Sequence, residues 1–265
     1  MTLLSLLGIH FGICFLLVTV TWLLYLIFKR MVFIDITWVI GFVVLAIFDF
    51  VIYTQSITNV SSTQLISYII VVSLIAIWGF RLAIFFFFTR ILTGHEDKRY
   101  AQIKASYQSN TVLNVYYNFL FQGFLQALIS ISFIPLMLQP TLTSPPWLWV
   151  IFAIVAISGE FLADWQLYQF KTHHKGKGIF KQGLWRFSRH PNYFFDVLFW
   201  FSIASYTFTL TNYYVAFVGP VLLYCIMRWI TGRITENLSR KKYGAEFEDY
   251  AKQTPMIIPN IFNIK

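Results

Sequence analysis

Residues 171–196, KTHHKGKGIFKQGLWRFSRHPNYFFD, are the densest run of polar and chemically capable side chains in the protein. Proline is favoured in the first turn of a helix, so a helix is predicted to begin near Pro191, with free backbone N–H groups beside Arg189 and His190. Such a terminus suits a phosphate group. Trp185 and Tyr193 can stack on a flat ring, and Asn192 can both donate to and accept from an amide. The competing reading is a polybasic loop resting on anionic lipid headgroups, which better fits Lys171, Lys175, Lys177 and Lys181. The ligand reading better fits Arg189 to Tyr193. The GKGIFKQG stretch has the wrong spacing and no preceding strand for a dinucleotide motif. His173 and His174 are adjacent and diverge in direction, so no metal site is expected.

A second patch is TRILTGHEDKRYAQIK, residues 89–104, where Arg90, Arg99 and Tyr100 are expected to be exposed. Glu96, Asp97, Lys98 and Arg99 read either as a surface network worth little energy or as arginines reaching a 2′-phosphate or pyrophosphate. Glu160, Asp164 and Tyr168 are spaced by four and share a helix face, so the two carboxylates need a cation or donor opposite. Asp35, Arg81, Asp164, Asp196 and Arg228 fall toward one end of apolar runs, whereas Asp49 and Glu160 lie deeper or nearer the far side. Charges in such runs are functional candidates, because hydrocarbon penalises them.

The elements that must position these residues are membrane spans. Hydrophobic residues make up 58% of the 265 and charged residues 12%, against roughly 25% charged in a soluble domain. Seven segments reach the roughly 20 apolar residues that a span needs: 3–28, 32–54, 64–88, 113–138, 147–169, 194–210 and 213–231. The stretch 194–231 reads as two short spans or as one span and a re-entrant piece. The first run has no Lys or Arg before it and is expected to be a retained span rather than a signal peptide. Loops 29–31, 89–112 and 170–193 and the tail after 231 carry the Lys and Arg residues, and the alternate loops 55–63, 139–146 and 211–212 carry none. The expectation is an all-α integral membrane protein, a seven-helix bundle with its N-terminus outside and its C-terminus cytoplasmic. That topology alone produces most of the net charge of +9, so the charge is no argument for nucleic acid, and with no recognisable nucleic-acid module none is expected as a partner. Cys14 and Cys225 sit in apolar runs and form no disulfide framework.

WGFRLAIFFFFTR with EDKRY, followed by GLWRFSRHPNYFFD, resembles the bacterial membrane-protein family related to the C-terminal domain of steroid 5α-reductases. KKYGAEFEDYAKQTPMIIP resembles the tail of that superfamily, which includes sterol reductases. The resemblance runs from about Asp35 and Trp38 to Pro259, and its RHPNY element is shared with isoprenylcysteine-type methyltransferases. It implies a single transmembrane domain over 1–265, with 171–265 as the main cofactor-binding part, holding NADPH in a cytoplasm-facing cavity of a bacterial inner membrane. The implied activity is hydride delivery to an activated C=C bond of a lipophilic steroid-, sterol- or isoprenoid-like substrate. The implied cofactor contacts are Asp164, Trp185, Arg189, His190, Asn192, Tyr193 and Asp196, with Arg228 or Arg233 at a phosphate and Arg99 from the second patch. Asp35 and Tyr100 are the candidates for the catalytic acid by position. The alternative is an S-adenosylmethionine-dependent methyltransferase acting on a lipid or prenylated thiol. Its relatives carry paired glutamates after the last span, where this chain has Glu236 followed by Asn237. A transporter-like bundle would instead require broken helices and an internal repeat.

Overall fold

In hydrocarbon no water meets the backbone, so apolar runs must close their hydrogen bonds within themselves as helices. The computed structural model describes residues 1–56, 62–94, 96–139, 143–174 and 177–260, and among these there is no strand. Lys175 and Lys265, two of the basic loop and tail residues, lie outside the described residues, as do parts of loops 55–63 and 139–146. The helices are α1 (Leu3–Phe28), α2 (Phe33–Ser56), α3 (Ser62–Phe86), α4 (Lys98–Ala105), α5 (Thr111–Ile129), α6 (Trp147–His173), α7 (Pro191–Thr211), α8 (Val218–Ile226), α9 (Gly232–Tyr243) and α10 (Ala245–Gln253). Six stretches are long and apolar enough to cross a membrane: Leu3–Phe28, Phe33–Gln55, Ser62–Ile91, Trp147–His173, Pro191–Thr211 and Tyr214–Tyr243. In α1 only 22% of the most apolar window is buried in the protein, so most of its hydrocarbon surface needs lipid. The chain is an integral membrane protein.

Two expected segments come out differently. Residues 113–138 are not one helix: α5 stops at Ile129, and Ser130–Ser132 and Ile134–Leu138 form tighter 3₁₀ turns around Pro135. Asn114, Asn118, Gln122 and Gln126 lower the apolar character of α5, and it is not among the six. It nevertheless runs antiparallel along α1. Trp22 Nε1 donates to the Val112 carbonyl at 3.1 Å, Thr19 and Tyr116 hydroxyls meet at 3.2 Å, and the Phe11 and Phe124 rings stack at 5.2 Å. The expected last span, 213–231, does not end at 231. The helix widens into a π turn at Met227–Thr231 and continues as α9 to Tyr243.

The chain forms two compact units, one comprising Met1–Val150 and Ile203–Gly219, the other Ile151–Ser202 and Pro220–Lys265. In the first unit, α1 buries Leu6, His10, Cys14, Val18, Thr21 and Tyr25, a stripe with helical spacing. Apolar contact between helices gains little over lipid contact, so polar bonds and close approach must fix the pairing. Thr21 and Thr37 hydroxyls meet at 2.5 Å across α1 and α2. Gln126 Nε2 reaches from α5 to the Trp38 carbonyl of α2 at 2.5 Å. It arrives there over Gly41, where an added Cβ would collide with the Gln126 side chain. In the second unit, Gly159 on α6 plays a related part, since a Cβ there would run into the Phe195 ring of α7.

Interhelical bonds of this kind contribute about 0.6–2 kcal/mol each. Gly41→Ala should therefore cost about 1–2 kcal/mol by evicting Gln126 from its carbonyl, and Gln126→Ala a similar amount. In the double variant the losses should not add, because shortening the side chain at position 126 makes room for the methyl group added at position 41. Unfolding titrations in mixed micelles check this.

Candidate functional site

The first unit gathers one polar cluster. Asp35 lies in the first turn of α2, and Arg90 lies in a π turn, Phe87–Ile91, that closes α3. Asp97 is the N-cap of α4, its side chain accepting from Arg99 N at 2.9 Å. Asp35 pairs with Arg90, and the Tyr100 hydroxyl donates to its other oxygen at 2.6 Å. Arg99 grips Asp97 in two-point fashion, Nε to Oδ1 at 3.1 Å and Nη2 to Oδ2 at 2.8 Å, and its Nη2 lies 3.9 Å from Asp35. Two arginines and two aspartates thus balance in charge. The loop beneath is clamped as well. Arg30 donates to the carbonyls of Arg90 and Ile91, at 2.7 and 3.1 Å, and Glu96 accepts from Met31 N at 3.1 Å and from Lys104 at 2.6 Å.

Burial and charge set the proton affinities here. Burial and the neighbouring Asp35 carboxylate hold the Tyr100 hydroxyl well above the ordinary phenol range, so it stays a hydrogen-bond donor. Burial works to raise the Asp97 carboxyl, but Arg99 and Arg90 outweigh it and bring Asp97 well below the usual carboxylate range. Arg99 is opposed by burial and held charged by Asp35 and Asp97. The exposure expected of this patch is therefore corrected: Tyr100 is 6% exposed and Arg90, Glu96, Asp97 and Arg99 are partly buried, with Lys98 exposed.

The second unit gathers the other. α7 begins at Pro191, as the sequence predicts. The N–H groups immediately before it are already engaged: Arg189 N donates to the Pro255 carbonyl at 2.9 Å and His190 N to Ser188 Oγ at 3.2 Å. The Arg189 guanidinium reaches Glu236 Oε1 at 2.7 Å, the Ala251 carbonyl at 3.0 Å and the Thr254 carbonyl. It braces the C-terminal tail against α9. Ser188 Oγ donates to the Ile257 carbonyl at 2.8 Å, and the Tyr250 hydroxyl donates to the Trp185 carbonyl, completing that brace. Trp185 is buried, its indole N–H given to the Ala163 carbonyl at 3.0 Å. His190 stacks on Tyr193 at 4.8 Å, nearly parallel at 7°, and lies 3.5 Å from Glu236. Burial lowers the His190 pKa despite Glu236, favouring the neutral ring.

Asn192 differs from its neighbours. Its Nδ2 donates to Asp164 Oδ1 at 3.2 Å, supplying a donor opposite the α6 carboxylates, while its Oδ1 is buried without a hydrogen-bond partner. Asp196 is buried one turn further on. Arg228 lies in the π turn of the last span with Nη1 3.1 Å from Met256 Sδ, and Arg233 is exposed. The arrangement thus leaves Asn192 Oδ1 as an acceptor, a flat His190–Tyr193 stack and an exposed cation at Arg233.

Sequence reasoning missed Glu236 as the centre of this cluster. Its signal was a single carboxylate within RITENLSRKKYG, four residues before Arg240, whose Nη2 lies 3.5 Å from it. It also missed that both π turns carry an arginine, Arg90 and Arg228. Such turns often mark functional sites, and they leave no trace in hydropathy.

A membrane protein that is all-helical among the described residues, with buried or partly buried arginine–carboxylate clusters at helix ends, is the class that fold and geometry define. The chain belongs to the family described as a protein of unknown function, DUF1295, whose profile matches residues 21–254. It is also similar to the Delta(14)-sterol reductase of Ascobolus immersus, 34% identical over 101 residues, which is 36% of this chain and 21% of that protein. The chain thus matches about a fifth of the curated relative's length. Both findings put it in a sterol reductase-related membrane family, in line with the resemblance of its motifs. No solved structure matches the chain.

Breaking a buried ion pair from one side costs about 3–5 kcal/mol, whereas replacing both partners by apolar groups costs far less. Glu236→Ala should lose stability in that range and expose residues after Gln253 to protease, and Arg189→Met with Glu236→Leu should recover most of the loss. Asp97 gives a separate test through pH. Its depressed folded pKa adds stability above the ordinary carboxylate pKa, and that stability fades as pH falls. The stability gap between wild type and Asp97→Asn should be constant above about pH 5 and shrink below about pH 4.

Proposed function

We propose that the protein is an NADPH-dependent reductase of an activated C=C bond in a sterol- or isoprenoid-like substrate. The observation that carries this reading is the 101-residue likeness to a sterol reductase, within a family match that spans most of the chain. The unpartnered Asn192 Oδ1 supports it, as the acceptor a nicotinamide carboxamide needs. In this reading Asn192, Tyr193, His190, Asp164 and Asp196 orient the cofactor, and Arg228 and Arg233 face its phosphates. Trp185 and Arg189 hold the segment in shape from behind, given how fully their polar atoms are used within the protein. When bound, NADPH supplies the hydride, and the protein supplies position and electrostatics.

The Asp35–Tyr100 pair is assigned to the substrate's oxygen. Tyr100 keeps its proton across the working pH range and can donate to an oxygen on which negative charge develops. In the structure that hydroxyl is given to Asp35, which Arg90 holds, so donation to the substrate has the O–H turn from the carboxylate to the substrate oxygen. Arg99 is bound by Asp97, which assigns it to holding α4 rather than to a phosphate. The methyltransferase alternative is disfavoured, because Glu236 is already committed to Arg189 and is not available to a cofactor's amino acid moiety.

We also take α5 as the seventh span, on the strength of its antiparallel packing along α1. The basic loops then fall on one side, which the positive-inside rule makes cytoplasmic. By the family resemblance the membrane is a bacterial inner membrane.

Purified protein should bind NADPH, and Asn192→Ala should weaken binding about tenfold, the effect of one lost hydrogen bond worth about 1.4 kcal/mol. Binding of S-adenosylmethionine without NADPH would overturn the reading. Tyr100→Phe should leave NADPH affinity unchanged and slow NADPH oxidation driven by a lipophilic enone by at least about 100-fold.

A further inference from the structure

A third polar cluster, in the first unit, takes no part in the proposed reduction. His10 of α1, Asp49 of α2 and Ser130 at the end of α5 meet in the interior, each 0% exposed. Ser130 Oγ donates to the Ala127 carbonyl at 2.7 Å, so across the 2.7 Å contact with Ser130 it is His10 Nδ1 that donates. His10 Nε2 and Asp49 Oδ1, 2.9 Å apart, then share one proton, as imidazolium facing carboxylate or as neutral imidazole facing acid. The pair is neutral either way, as an apolar interior requires. In both forms Asp49 Oδ2 remains an acceptor.

Two tyrosines adjoin this pair. Tyr53 and Tyr68 are 1% and 2% exposed, their rings stacked at 4.7 Å, and Tyr68 lies within electrostatic reach of both Asp49 and Tyr53. Asp49 Oδ2 and both tyrosine hydroxyls are buried without a hydrogen-bond partner. Folded proteins satisfy nearly all such atoms, and here one acceptor and two hydroxyls stand in one neighbourhood. The 14 residues of α2 from Asp35 to Asp49 amount to about 21 Å at about 1.5 Å per residue, so this is not the Asp35 cluster.

We propose that His10, Asp49, Tyr53 and Tyr68 form a second, intramembrane site that binds the hydroxyl group of a lipophilic alcohol. The alcohol O–H donates to Asp49 Oδ2, and its oxygen accepts from a tyrosine. A methyl ether accepts but cannot donate, and it leaves the carboxyl oxygen unmet. The Phe50 ring against Tyr68, at 5.8 Å, and Phe133 against His10, at 5.9 Å, give the site an apolar border that suits a hydrocarbon-bearing guest. The proposal does not rest on the reductase reading.

The test uses full-length protein in phosphatidylcholine nanodiscs and two photoreactive, alkyne-tagged probes, a sterol with a free 3-hydroxyl and a long-chain isoprenoid alcohol, each beside its O-methyl ether. At least one alcohol should label peptides of α2 or α3 about tenfold more than its ether. Tyr53→Phe with Tyr68→Phe should reduce that labelling to the ether's level. It should not lower the melting temperature, because it deletes only hydroxyls that lack partners. Asp49→Asn disturbs the His10 pair and endangers the fold, so the tyrosine variant carries the test. NADPH affinity, unchanged in that variant, separates this outcome from the fate of the reductase reading. Equal labelling by alcohols and ethers, or a double variant that labels like wild type, would overturn the proposal.

Discussion

A carboxylate or guanidinium surrounded by helices in a bilayer costs several kcal/mol unless an opposite charge or a hydrogen-bond partner meets it. That requirement organises the polar clusters at the helix ends. Asp35 is met by Arg90 and Tyr100, Asp97 by Arg99, and Glu236 by Arg189. Each closure ties together segments far apart in sequence: α2 to the end of α3 and α4 in the first unit, and the start of α7 to α9 and the C-terminal tail in the second. The same regions also hold loop backbone, through Arg30 at the carbonyls of Arg90 and Ile91 and through Arg189 at the carbonyl of Ala251.

The spans are legible in the sequence because hydrocarbon imposes a simple length rule. Segments 3–28 and 32–54 match α1 and α2 to within two residues at each end, and Pro191 starts α7 as its position implies. Residues 113–138 and 213–231 depart from expectation for opposite reasons. Pro135 and the serines at 130 and 132 break the first into tight turns, whereas α9 extends the second because its polar residues still favour a helix. Partnership is not legible. Arg90 and Asp35 are 55 residues apart and Arg189 and Glu236 are 47 apart, and no spacing rule joins them. The polar run around residues 185–196 does form a cluster, yet its most conspicuous cation, Arg189, is turned inward, while the modest Asn192 keeps an atom to spare.

This division of labour gives the reductase reading its shape. Residues whose polar atoms are consumed within the protein set geometry, and residues with an unused donor or acceptor are those available to a ligand. Asn192 is of the second kind, whereas the Tyr100 hydroxyl is given to Asp35. Kinship with a sterol reductase then supplies the chemistry that such groups would serve.

The most direct test is a structure of the full-length protein determined with NADPH. The predicted result is an ordered nicotinamide at the first turn of α7, its carboxamide N–H within hydrogen-bond distance of Asn192 Oδ1. A cofactor held away from that turn, with Asn192 Oδ1 still unpartnered, would contradict it.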